Sequence, residues 1–432
     1  MNWIFLAIVL IAFATAAWRE VRFDGGPGDE SPMQALSSGV IESAGGAVEL
    51  ALGLVGVMTL FLGLMKVAEA GGLLTIIAKL IRPVMTRLFP DVPPDHPAMG
   101  AMILNMSANA LGLGNAATPF GIRAMQELDK LNPHPGTATN SMALFLAINT
   151  SSITLLPTGV IALRAAAGSE DPAGILPTTL VATICATIAA VSAATLLRRF
   201  FPAGPPDPAV RTMERPWVED KAESEALPEY SSQGYPLWVS LVALGGLVAL
   251  IPLTVAYGQV ISPWIVPGLM VGFLLFGALR GVRIYEVFVE GAKDGFQVAL
   301  RIIPYLVAIL VAVGMFRASG AMEAMVGAIG GFTARFGLPA EALPMALLRP
   351  LSGSGAYGVM ASIINDPAIG PDSYVGYLVT TLQGSTETTF YVLAVYFGAV
   401  QVRRIRHTLA AALTADVVAV VAAVAICSYL FL

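Results

Sequence analysis

A chain of 432 residues that is 56% hydrophobic and 12% charged, with a mean hydropathy of +0.75, falls outside the class of ordinary soluble domains. Its net charge of −5, with no dense block of Lys or Arg, excludes nucleic acid as a partner. Cys185 and Cys427 sit in apolar segments, and His96, His134 and His407 are scattered in predicted loops. These positions offer neither a disulfide framework nor a Cys/His metal spacing.

The composition suits a bilayer. Its hydrocarbon core is about 30 Å thick and a helix rises about 1.5 Å per residue, so a crossing needs about 20 mostly apolar residues. The first such run, 2–18, lacks a basic leading segment and is read as a retained helix rather than a signal peptide. A second run covers 48–66. The stretch 97–122, containing "MILNMSANALGLGNAATPFG", has apolar arms interrupted by Asn105, Ser107, Asn109, Asn115 and Pro119. Runs at 138–163 and 176–197 follow, then a Pro-rich, acidic segment from Pro202 to Tyr235 that reads as a cytoplasmic linker. Beyond it come runs at 237–256, 264–280 and 297–316, a second interrupted stretch at 338–365, and final runs at 374–400 and 408–431. In the second interrupted stretch Arg349 and Pro350 precede "SGSG", a poor continuous helix because Pro lacks a donor and Gly is entropically costly. Each arm of the two interrupted stretches spans about half a bilayer. Both are expected to be re-entrant helical hairpins whose irregular tips are buried in protein.

Loop charges set the direction. With non-crossing hairpins and a cytoplasmic N-terminus, the basic loops, including Arg198, Arg199 and the "RRIRH" cluster at 403–407, fall on the cytoplasmic side. The acidic loops "DGGPGDE" and "GSEDP" fall on the other, where Arg317 and Arg335 are exceptions.

The segments between about 42 and 198 recur in order between about 290 and 431: a helix, an amphipathic stretch, a polar-tipped hairpin, a helix with a polar centre and a last helix. "EAGG" at 69–72 answers "RASG" at 317–320, and "NTSSITLLPTG" answers "QGSTETTFYVL". The crossings between the copies place the two halves in opposite orientations. The expected fold is an all-α polytopic membrane protein of inverted repeats, each carrying a re-entrant hairpin and a broken transmembrane helix. Such repeats are a plan of secondary transporters, whose sites lie between the halves near the midplane.

Four polar patches are expected to converge there. They are Asn105, Ser107, Asn109 and Asn115; Asn149, Thr150, Ser151, Ser152 and Thr154; Ser352, Ser354 and Tyr357; and Gln383, Ser385, Thr386, Glu387, Thr388 and Thr389. Half-helix ends and neutral polar side chains together make a cage for a solute or a desolvated ion. The same small polar residues also hold membrane helices together, at about 0.6 kcal/mol per hydrogen bond. Glu387 is the sharpest candidate, since a carboxylate at the membrane centre costs about 2.5–3.5 kcal/mol on insertion scales. It suits cation binding, a hydrogen bond to a substrate hydroxyl or proton carriage, against the alternative of a buried ion pair with Arg349 or Arg301. Asp416 in the last helix is a second acid, near a polar groove or paired with a base.

"NMSANALGLGNAATPFGIRAM" resembles the spore maturation protein A family, and "RPLSGSGAYGVM" with "LQGSTETTFYVLAVYFGAV" resembles the spore maturation protein B family. The resemblance implies a head-to-tail fusion: an A-like half at 1–200, a linker at 201–235 and a B-like half at 236–432. Both halves are similar to the Gate, or nucleoside-recognition, domain shared with concentrative nucleoside transporters and the membrane part of ferrous-iron transporter B. That similarity implies hairpins and broken helices meeting around a solute and a coupling ion. The iron transporter's GTPase is not implied, because no "GxxxxGK[ST]" occurs.

The sequence therefore points to a multi-pass solute transporter of the bacterial inner membrane, coupled to H+ or Na+ through Glu387. Its expected partners are a small-molecule solute, the lipid bilayer and, in an oligomer, a second copy of the chain; neither a metal nor another cofactor is expected. The alternative is a non-transporting scaffold for envelope or spore-type maturation, whose polar centres are adhesive. An enzyme is not indicated, for want of a nucleophile elbow, a metal-ligand cluster or acids paired at catalytic spacing.

Overall fold

The computed structural model describes residues 2–25, 29–112, 117–151, 153–202 and 234–432, and among these it is helical throughout with no strand. Most of the linker, together with Asn115 and Ser152, lies outside the described residues. The first half consists of α1 (Asn2–Glu20), α2 (Pro32–Ala70), α3 (Leu73–Leu88), α4 (Pro97–Ala110), α5 (Thr118–Lys130), α6 (Asn140–Thr150), α7 (Thr158–Ala166) and α8 (Leu176–Leu197). After α9 (Leu237–Leu279) come α10 (Ile284–Ala318), α11 (Ala321–Thr333), α12 (Leu343–Leu348), α13 (Gly353–Ile364), α14 (Tyr374–Ser385), α15 (Thr389–Ala399) and α16 (Thr408–Phe431). By length and apolarity α8 and α16 can each cross a membrane, and the end of α2 with α3 forms a span bent by 69°.

The element order repeats: α2 to α8 match α10 to α16 one for one. Each long helix passes into a short one through a glycine in the left-handed region, Gly72 at φ 88° and Gly320 at φ 80°. These are the two places where "EAGG" and "RASG" stand, and only glycine adopts such angles without strain.

The halves meet element on counterpart, antiparallel. Gly39 of α2 faces Ala318 of α10, whereas Met58 and Thr59 face Gly295 and Leu62 faces Gly291. The glycines let the two backbones approach closely. On the other side α8 packs on α16. Ala182, Ala186, Ala190 and Ala194 form one buried ladder of small side chains, and Ala411, Ala415, Ala419 and Ala423 the other. Ala190 and Ala415 belong to one apolar core and Ala182 and Ala423 to a second, so this pair too is antiparallel.

The two cores divide the molecule crosswise. One unites α4 and α5 with α6 and, from the other half, α15. Its counterpart unites α12 and α13 with α14 and, from the first half, α7. The polar breaks lie between them.

Three boundaries differ from the sequence expectation. The two separate spanning runs expected at 237–256 and 264–280 belong to one helical stretch, α9, that includes the residues between them. A straight helix of this length would separate its ends by about 63 Å. Yet the Tyr235 amide just before it bonds Lys79 O at 3.1 Å, and Gly277 near its end lies against Val67. Lys79 and Val67 flank the α2–α3 bend, at most about 18 Å apart along the helix path, so α9 is not straight. The hairpin expected at 338–365 has an uneven first arm, a 3-10 turn followed by the short α12, because Pro339 and Pro344 break it. The hairpin expected at 97–122 continues in α5 to Lys130.

A Cβ at Gly295 would stand 2.7 Å from Met58 O and 2.8 Å from Thr59 Cα, backbone atoms that have no rotamer to give. Gly295→Ala is expected to lower the melting midpoint of the detergent-purified protein, by an overpacking cost of about 1–3 kcal/mol. Gly327→Ala, where nothing lies within 4 Å, should be neutral or raise the midpoint through the helix propensity of Ala, about 1 kcal/mol.

Candidate functional site at the two helix breaks

The segments 138–163 and 374–400 are each two half-helices. In the first, α6 stops at Thr150 and α7 starts at Thr158 behind Pro157; in the second, α14 stops at Ser385 and α15 starts at Thr389. The Ser/Thr runs explain the stops, since short hydroxyl side chains compete for the backbone and Pro157 offers no donor. Thr150 and Ser151 hydroxyls turn back onto Ala147 O, at 2.9 and 3.0 Å. Thr187 of α8 donates to Ser151 O at 2.7 Å.

The breaks meet directly. The Glu387 amide donates to Thr150 O at 2.8 Å, backbone to backbone. The broken helices run antiparallel through this point. The start of α6 lies by the end of α15, where Ala138 N donates to Arg404 O at 2.9 Å. At the opposite end Arg164 of α7 donates to Pro371 O at 2.6 Å, just before α14.

Each hairpin braces the far half of the other repeat's broken helix. Asn105 Nδ2 donates to Ala117 O at 2.8 Å, tying its own tip, and to the Tyr396 hydroxyl of α15 at 3.2 Å. Reciprocally, the Tyr357 hydroxyl of α13 donates to Gly159 O of α7. Asn109 Nδ2 donates to Asn149 Oδ1 at 3.0 Å, and Leu155 N to Ala110 O at 2.9 Å, joining the first hairpin to the first break. Phe390 N donates to Pro350 O at 3.1 Å, joining the second pair.

Charge is confined to the second break. Arg349, buried at the second hairpin tip, donates to Thr388 Oγ1 at 3.0 Å and to Thr386 O. Its guanidinium lies 3.9 Å from Glu387 Oε2, whose side chain is 44% exposed. It thereby sits at the carbonyl end of α14, where a cation is favoured. Asp416 of α16 is 6% exposed and accepts from Thr389 Oγ1 at 2.7 Å at the amide end of α15, where an anion is favoured. Arg349, Pro350, Ser385, Thr386 and Asp416 line a cavity of about 10 Å³, room for one water. Four buried polar atoms around the breaks lack a hydrogen-bond partner: Asn105 Oδ1, Gln383 Oε1, Arg349 Nε and Asp416 Oδ1.

The four expected patches thus come together in part. Asn109, Asn149, Thr150 and Ser151 are linked through Glu387 to Thr386 and Thr388. Other hydroxyls serve their own helices: Ser107 donates to Ile103 O at 2.7 Å, Ser385 to Leu382 O at 3.2 Å, and Ser352 caps Gly355 N at 3.0 Å. Ser354 is half-buried on the first turn of α13. Of the two arginines weighed against Glu387, Arg349 is the one at ion-pair distance; the Arg301 side chain lies outside the described residues. No group of three or more His, Cys, Asp and Glu side chains gathers among the described residues to hold a metal ion.

The sequence reading missed the two arginines that close the ends of the broken-helix pair. Arg164 is fully buried and donates to Asp372 Oδ1 at 2.8 Å, Asp171 O at 3.0 Å and Ser169 Oγ at 3.2 Å, with Tyr377 beneath its guanidinium at 4.2 Å. An arginine in the last turn of an apolar half-helix was the available signal. At the other end Arg406 donates to Ala138 O and Asn140 Oδ1, both at 3.0 Å, and to Phe201 O at 2.8 Å.

Two outcomes are expected from these ties. Arg164→Leu would take the cation from Asp372, which keeps Ser169 Oγ and Glu170 N as donors, and would strip Pro371 O and Asp171 O of the guanidinium; breaking a buried pair costs about 3–5 kcal/mol, and the remaining donors and partial exposure of Asp372 place the loss, read as a fall in melting midpoint, at the low end. His407 beside Arg406 is 1% exposed with neither ring nitrogen bonded. Burial, then the Arg406 and Arg198 charges, push its pKa down from 6.5 to about 4. The unfolded chain therefore binds a proton that the native one refuses, and stability should fall as pH drops from about 6.5 towards 4. His407→Phe should flatten that part of the melting-midpoint profile.

Comparison with known proteins places this geometry. The family model described as "Nucleoside recognition" (Gate) matches residues 51–167 and 299–403, each covering the kink, the hairpin and the broken helix of one half. Spore maturation protein A of Bacillus subtilis (strain 168) is 41% identical over 199 residues, covering 46% of this chain and 93% of that protein. Spore maturation protein B of the same strain is 45% identical over 166 residues, covering 38% of this chain and 92% of that protein. No solved structure matches. With one copy of the matched domain on each of its two broken helices, together slightly more than half its length, the chain belongs to the nucleoside-recognition (Gate) family.

Proposed function

We propose that this protein is a secondary-active solute transporter of the bacterial inner membrane, multi-pass with a cytoplasmic N-terminus, built of two inverted repeats with re-entrant hairpins. The observation that carries the reading is the Thr150 O to Glu387 N bond, 2.8 Å, where two antiparallel broken helices meet break to break. In a bilayer an irregular backbone is tolerated where it is buried in protein or lines a cavity. Here it lies between two apolar cores and is edged by unpartnered polar atoms. Antiparallel counterparts supply two near-equivalent halves, which can exchange shapes to face either side. The solute would lie against Asn109, Asn149, Thr150, Ser151, Thr386, Glu387 and Thr388. Nucleosides are the first solutes to test, in keeping with the family's description.

A second reading rests on Arg349. Its bonds into Thr386 O and Thr388 Oγ1 tie the second break as a fixed joint would, which suits a scaffold in spore-type maturation, the role in the names of the two relatives.

Melting midpoints of the detergent-purified protein, wild type beside Glu387→Gln, across nucleosides, small acids, amino acids and Na+, separate the two. A ligand at 100 times its dissociation constant adds about 2.7 kcal/mol to native stability. The transporter reading expects one class to raise the wild-type midpoint and to do so less, or not at all, in the variant. No shift with any ligand, together with normal assembly and function of the variant, would instead favour the scaffold.

A further inference from the structure

We propose that Asp416, rather than Glu387, is the carboxylate of the second break that binds and releases a proton. One cation serves two acids there. Arg349 is held by Thr386 O and Thr388 Oγ1 and stands 3.9 Å from Glu387, the half-exposed acid, which can also be solvated. Asp416 is the buried one, and its single hydrogen bond, from Thr389 Oγ1, occupies Oδ2. Oδ1 has no partner and belongs to a residue lining the water-sized cavity that Arg349 also lines.

A buried carboxylate without full compensation is costly to keep charged, and a proton on Oδ1 removes the charge while turning the oxygen's hydroxyl into a donor toward the cavity. The amide end of α15 and the Arg349 guanidinium act in the other direction, favouring the anion. Opposed influences on one group let it both load and unload. Cargo larger than a water does not fit the cavity, and a guanidinium in its wall disfavours a bare metal cation. The surroundings are otherwise nearly free of titratable groups. α16 packs on α6, α8, α14 and α15, and these bring only Cys185, Tyr374, Tyr377, Tyr391 and Tyr396 beside the charged Arg349 and Glu387.

Asp416 as the coupling group rests on the transporter reading above, but its proton does not, so the test reads the proton itself. Infrared difference spectra of the full chain in lipid nanodiscs, taken as pH is stepped, report the carbonyl stretch of a protonated carboxylic acid in a dry site. The expected result is one such band per chain. It should shift when aspartate is carboxyl-labelled with carbon-13, stay when glutamate is labelled instead, vanish in Asp416→Asn and survive in Glu387→Gln. Labelling needs no variant to fold. A band that follows glutamate labelling and vanishes in Glu387→Gln overturns the proposal. So does the absence of any band, which would make Asp416 a permanently charged, water-bridged partner of Arg349, and so does Na+ stabilisation that Asp416→Asn abolishes in the absence of a band. Failure of the transporter reading appears separately, as ligand-independent melting with the aspartate band intact.

Discussion

A carbonyl released from a helix inside a bilayer has no water to turn to, so breaking a membrane helix is possible only where the protein itself supplies the missing partners. The first break closes on Glu387 N and Thr187 Oγ1, and the second on Arg349, each partner coming from a different element. The hairpins must therefore reach the breaks, and the broken helices must lie antiparallel so that break meets break. From the packed helices α8 and α16, the Thr187 hydroxyl reaches Ser151 O at the first break and the Asp416 carboxylate reaches Thr389 Oγ1 at the second. Much of the architecture follows from satisfying a few backbone groups in a place without solvent.

The halves solve this problem with different chemistry. The first break uses neutral groups, Asn109 on Asn149 and Thr187 on Ser151. The second uses a guanidinium with Asp416 beside it on one small cavity and Glu387 at ion-pair distance. A repeat that began with equal halves would lose nothing in fold by this divergence, since both solutions fill the same hydrogen-bonding need. Charge is thereby concentrated at the second break, while the first stays neutral.

The sequence made the repeat legible because its marks are local. Gly72 and Gly320, Pro157, the Ser/Thr runs of the two breaks and the tip at 349–352 each break a helix by the chemistry of a few adjacent residues and stand at helix ends in the structure, whereas Asn105, Ser107 and Asn109, expected to interrupt their arm, lie inside α4. Glu387 stood out for the same reason, as an acid in an otherwise apolar run. The site's other half was hidden because it is made by contacts between residues far apart in the chain. Nothing beside Asp416 in the sequence shows that Thr389 and Arg349 will be its neighbours, and Tyr396 reads as one more aromatic in a span until Asn105 is found against it. Arg164 lies near a loop in the sequence, yet it is fully buried, in keeping with the backward tilt of helical side chains.

The two ends of the broken-helix pair are held unequally. Arg164 is wholly buried and bonds Pro371, Ser169, Asp171 and Asp372, with a ring beneath it, so parting that end strips a desolvated cation of several partners at once. The opposite end is closed by Arg406, a half-buried residue whose three acceptors are neutral. Water can replace those acceptors as that end opens, whereas at Arg164 the charge must first be rehydrated from a dry state. The Arg406 end is therefore the more weakly held of the two. One of its three acceptors is the Phe201 carbonyl, at the end of the described part of the first half.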